Sequence, residues 1–130
     1  MTPQERRMLA FTLLAAESRQ RRQPYGELRF LLLAGSAACQ AGWADVPRRC
    51  RERVLEINPH HMLAKYDTLE EALRDDEFQT FLSRLDRFCS FEMAEALLEK
   101  LSPGWQSIDF DAGSDLGSYC LQQLADRSGV

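Results

Sequence analysis

Pro24-Tyr25-Gly26-Glu27-Leu28-Arg29-Phe30-Leu31-Leu32-Leu33-Ala34-Gly35-Ser36-Ala37-Ala38-Cys39-Gln40-Ala41-Gly42 is the stretch on which the fold turns. Its proline stands at a first-turn position, where the missing N–H costs nothing, and Gly42 at the far end suits a helix C-cap. Between them Leu28, Leu31, Leu32, Gly35, Ala38 and Cys39 recur at helical spacing. The apolar run of residues 30–33 carries that face most of the way round. The pattern predicts a helix over 24–41 and makes it the most buried element of the chain.

Upstream, Thr2-Pro3-Gln4-Glu5 is a capping box with proline at the first helical position. Met8, Phe11 and Ala15, with Leu9, Leu13 and Ala16, carry that helix across 3–22. Arg6-Arg7 ahead of an apolar run imitates an export signal. The run is short, however, ends in Glu17, Arg19, Arg21 and Arg22, and has no small-x-small cleavage site, so a helix is expected.

Downstream, Asp45 is placed to cap a helix over 45–57 with Val46, Cys50, Val54 and Ile57 inside and arginines outside. Asn58-Pro59 is expected to stop it and open the next, over 59–74. Within that span the helix runs through Met62 and Ala64 to about Tyr66, and a further capping box, either Asp67 with Glu70 or Thr68 with Glu71, opens a short turn through Leu73. Asp76 with Gln79 opens 76–89, striped by Phe78, Phe81, Leu82, Leu85 and Phe88. Ser90 opens 91–102, with Met93, Ala94, Leu97, Leu98 and Leu101, and Leu116, Cys120 and Leu124 share a face over 114–127. Nothing alternates with period two for long enough to argue a sheet, and 105–110 reads as an extended packing segment. The expectation is an all-α single domain of six to seven short helices packed as antiparallel hairpins.

Composition agrees. The 130 residues are 45% hydrophobic and 28% charged, which excludes disorder and predicts one core. No apolar run approaches the roughly 20 residues of a membrane span, so a soluble chain is expected. Cys39, Cys50, Cys89 and Cys120 lack metal-site or redox spacing and read as reduced thiols of a cytoplasmic protein, while Cys39 and Cys50 flank a tight turn and are the one pair placed to face each other across a hairpin, bridged or not. The net charge of −4 hides an asymmetry: residues 1–53 hold ten Arg against five acids, and residues 54–130 six bases against fifteen acids.

Residues 28–61 resemble a single tetratricopeptide repeat, a helix–turn–helix of 34 residues. Gly35, Gly42 and Pro59 stand where that family places two glycines and a closing proline, and Leu31 fits its first large apolar position. Ala34, Ala38, Pro47 and Arg51 depart from the pattern, and no second repeat follows. The resemblance implies that Arg29, Leu32, Ser36, Cys39 and Gln40 line the inner face of the first helix, which in that family grips peptides.

Chemistry-bearing residues are sparse. His60 and His61 are adjacent, so a regular helix would point them about 100° apart, unable to share a metal. Glu70, Glu71, Asp75, Asp76 and Glu77 sit near helix starts, where carboxylates complement the macrodipole. Asp109, Asp111 and Asp115 are spaced for loop and cap duty. No phosphate-cradling loop, nucleophile elbow or cofactor motif occurs, so neither metal, cofactor nor enzymatic activity is expected. The leading expectation is a protein–protein interaction or self-association module, with a peptide or a second copy as partner. The alternative is a nucleic-acid-associated factor using Arg48 and Arg51 on a basic, anion-facing helix.

Overall fold

The Thr2 capping box closes in both directions. The Thr2 hydroxyl accepts the Glu5 N–H at 3.1 Å, and the Glu5 carboxylate accepts the Thr2 N–H at 3.0 Å. The computed structural model describes residues 1–107 and 114–125. This box starts α1 (Pro3–Gln20), followed by α2 (Pro24–Gln40), α3 (Asp45–Ile57), α4 (Leu69–Ala72), α5 (Asp76–Phe88), α6 (Phe91–Leu101) and α7 (Ser114–Leu124). Two 3₁₀ turns, Met62–Lys65 and Trp105–Ser107, complete the described residues, which form one all-α domain and include no strand.

The first two helices end alike. Arg22 (φ 57°) and Gly42 (φ 87°) adopt left-handed backbone. Behind them the Gln23 N–H donates to the Ser18 carbonyl and the Trp43 N–H to the Ala38 carbonyl, each at 2.9 Å. These are Schellman ends, natural for glycine and strained for arginine. They turn the chain within a few residues and set α1 against α2 and α2 against α3.

α2 also packs on α4 and α5, while α1 is covered by α2, α6 and α7, and α7 reaches across to α3. Met8, Leu9, Ala10, Phe11, Thr12, Leu14 and Ala15 are therefore all at most 2% exposed. Burial expected to peak in α2 is shared with α1, because α6 and α7 cover the sides that α2 leaves open. Two close approaches need glycine. A Cβ on Gly35 would overlap the Leu69 Cδ2 methyl and stand 3.2 Å from Cys50 Cβ, and one on Gly117 would stand 2.5 Å from Trp43 Cζ3.

The helical span expected over 59–74 holds its short turn through Leu73, present as α4, but the helix expected ahead of it to about Tyr66 is replaced by a 3₁₀ turn. Asn58 ends α3 in extended backbone, and its Oδ1 accepts the His60 N–H at 3.2 Å. His61 Nδ1 caps the 3₁₀ turn by accepting the Leu63 N–H, and Thr68 caps α4 by accepting the Glu71 N–H. Tyr66 between them is extended, its carbonyl taken by the Arg51 guanidinium at 2.7 Å. Side chains that satisfy backbone donors locally have outcompeted a longer helix. Two expected caps also move. Asp45 lies inside α3 without a capping bond, and Asp75, rather than Asp76, caps α5 by accepting the Glu77 N–H at 2.8 Å.

Residues 105–107 form a 3₁₀ turn rather than an extended segment, driven by burial of Trp105. Residues 108–110, Asp109, Asp111, the Asp115 side chain and the end of the helix expected to reach 127 lie outside the described residues. Leu116, Cys120 and Leu124 are buried together as expected, but Phe88 is 75% exposed, Met93 57% and Leu97 40%. α5 and α6 follow one another through Cys89 and Ser90, yet α5 packs on α2 and α6 on α1, which leaves these three side chains outside.

Candidate functional site

The face expected to grip a peptide is divided by the packing of α2. Leu32 is 1% exposed and belongs to the core. Ser36 and Gln40 line a cleft of about 200 Å³ between α1, α2 and α5, with Gln4, Arg7, Gln79, Ser83 and Asp86 around it. Arg29 instead lines a groove of about 570 Å³ on the other side of Leu32. Cys39 is half-buried beside Glu70, and burial together with that carboxylate pushes its thiol up to about 12.

The larger groove lies between the start of α2, the end of α3 and α5. Pro24, Tyr25 and Leu28 form one wall, Ile57 and Asn58 the end, and Phe81 and Leu85 the other wall, with His61 between. The helix breaks build it. Asn58 stops α3 at the groove's edge, and the following turn brings the His61 ring to 5.6 Å from that of Phe81, edge to face. Burial lowers the His61 pKa, so the imidazole is neutral and apolar-facing near pH 7. His60 is exposed and does not join it. Tyr25 is 78% exposed at the rim. Ile57, Phe81 and Leu85 pack against the core as their stripes predict and also show a face to the groove, the exposed remainder of the α5 stripe on which a contact surface is expected. The available signal was the width of the α5 pattern, in which Phe81, Leu85 and Phe88 form a second row beside Phe78 and Leu82.

The Arg-rich helix is engaged within the molecule. Arg53 makes a bidentate pair with Glu27, at 2.6 and 3.1 Å, and also reaches Glu56 at 3.2 Å. Arg49 donates to Glu56 and to the Leu124 carbonyl, each at 3.0 Å, tying α3 to α7. Arg51 is half-buried against Tyr66, and exposed Arg48 lies 3.6 Å from Asp45. The balancing acids Glu27, Asp45, Glu52 and Glu56 come from α2 and α3 themselves, and of these only Glu56 belongs to the acidic second half.

Cys39, Cys50, Cys89 and Cys120 are all free thiols, so Cys39 and Cys50 are not bridged. Cys50 is fully buried and feels Cys39 and Cys120 nearby, and Cys120 is pushed up to about 12 by burial. Protonated, enclosed thiols of this kind are inert. Among the described residues no three of His, Cys, Asp or Glu are placed to hold a metal ion, and no helix is long and apolar enough to cross a membrane. Comparison with protein-family models, with curated proteins and with solved structures gave no match.

Proposed function

We propose that this chain is a protein-contact domain of the cytoplasm, and that the groove between α2, α3 and α5 receives a segment of its partner. The observation that carries the reading is an apolar bed of Leu28, Ile57, Phe81 and Leu85 in an open groove of about 570 Å³, with Tyr25 exposed at its rim. A concave apolar surface with a few polar groups at its edge is the usual form of a recognition site. The resemblance of residues 28–61 to a tetratricopeptide hairpin supports the same class of role. Free thiols throughout the described chain support a reducing compartment. Nucleic-acid binding draws no support from α3, whose arginines are largely spent on internal partners.

The test is selection of a random-peptide phage library on the immobilised chain. Enriched peptides should bind the wild type and lose binding to Tyr25→Ala and Leu85→Ala, with circular dichroism showing both variants folded. No enrichment, or binders indifferent to both substitutions, would overturn the reading.

A further inference from the structure

Arg29 is the one group carrying charge at neutral pH among the residues that line the groove, and no carboxylate lines it. Among the described residues Arg29 has no ion-pair partner, whereas Arg6, Arg21, Arg48, Arg49 and Arg53 all have one. Arg84 on α5 is likewise exposed and unpaired among those residues. Helical spacing sets it one turn beyond Phe81 and one turn before Phe88, on the same side of the helix.

The apolar surface continues past the groove. Phe81, Leu85 and Phe88 occupy i, i+4 and i+7 on α5, with the first two half-buried and Phe88 75% exposed. A ridge with that spacing is the footprint of a second helix lying along α5, with its own apolar row in the groove. Cations on both flanks, with no acid between them, select the charge of what lies there.

We infer that the groove takes an acidic amphipathic helix of another protein, its apolar row on Leu28, Ile57, Phe81 and Leu85 and its carboxylates against Arg29 and Arg84. The inference rests on the docking role proposed above and adds the chemistry of the partner.

The experiment reads the composition of the selected peptides and their response to charge. Peptides that depend on Tyr25 and Leu85 should be enriched in Asp and Glu, depleted in Lys and Arg, and apolar at i, i+3 or i+4, and i+7. A synthetic copy of one such peptide should bind about tenfold more weakly to the Arg29→Ala, Arg84→Ala double variant, and more weakly to the wild type as salt is raised. Both arginines are exposed, so the double variant should keep its circular dichroism spectrum. Groove-dependent peptides that are neutral or basic, or that ignore the double substitution, overturn the inference and leave the docking role standing. Absence of any groove-dependent peptide overturns both. Sedimentation velocity closes the remaining case: a wild-type dimer that Leu85→Ala makes monomeric names a second copy as the occupant and overturns the acidic helix.

Discussion

Glu27 depends wholly on Arg53, but Arg53 does not depend wholly on Glu27. The Glu27 side chain is 4% exposed and has the Arg53 guanidinium as its one ion-pair partner among the described residues, whereas Arg53 also holds Glu56. Arg53→Met should therefore cost about 3 kcal/mol, since it strands a buried carboxylate, and Glu27→Gln only about 1 kcal/mol. Urea unfolding of the two variants checks the order. Equal losses would mean that the pair is not asymmetric.

Gly117 and Trp43 make a second such contact, between α7 and the turn that joins α2 to α3. The indole is held in place by its Nε1–H, which donates to Glu5 Oε2 at 3.2 Å, so the ring has little freedom to yield. Gly117→Ala should destabilise the fold by about 1–3 kcal/mol through overpacking, and Trp43→Leu in the same chain should recover part of that loss. Additive losses in the double variant would count against the contact.

Arg22 holds a left-handed conformation that costs a side-chain-bearing residue about 1 kcal/mol. Arg22→Gly should raise stability by about that much, and Gly42→Ala should lower it by a similar amount. Thermal midpoints that move oppositely for the two substitutions would bear this out.

Burial holds the His61 imidazole below the ordinary value of 6.5, and its Nδ1 lone pair already accepts the Leu63 N–H. The unfolded chain binds that proton more readily than the folded one. The stability contributed by neutral His61 is whole above pH 6.5 and is lost as pH falls from there through the lower folded value. His61→Asn keeps a capping acceptor that does not titrate in this range. The difference in urea midpoint between wild type and variant should shift against the wild type as the buffer moves from pH 8 to pH 5.5, and a difference that stays constant would refute it.

Cys39 and Cys120 sit near pKa 12, and burial raises Cys50 and Cys89 as well. At pH 8 a thiol-reactive disulfide reagent should label the native protein slowly, and all four thiols at once in denaturant. Fast labelling of Cys39 before unfolding would contradict the packing at the end of α2.

The helices were legible because their signals are local. The Thr2 box, Pro24, Gly42 and Ser90 each act within four residues, and the apolar rows of the first two helices are dense enough to survive any packing. The Thr68 cap and the short turn it opens through Leu73 were legible for the same reason, but the 3₁₀ turn at 62–65 and the extended Tyr66 were not. Asn58, His61 and Asp75 are each weak alone, and the Arg51 bond that holds Tyr66 extended spans 15 residues. The groove was hidden for a related reason. Leu32 and Phe81 carry the same apolar signature, and only the seating of α5 on α2 decides that the first is enclosed and the second lines an open groove. The face that the resemblance implies does not stay together: Arg29 lines one groove, Ser36 and Gln40 line another, and Leu32 between them is core.

The enclosure of α1 on three sides has a consequence for synthesis. Its greasy circumference leaves the ribosome before α6 and α7, which cover two of those sides, are made. Until they arrive, Met8, Leu9 and Leu14 have no complete shelter, and a nascent chain stalled before α7 should be a favoured client of hydrophobic-segment chaperones.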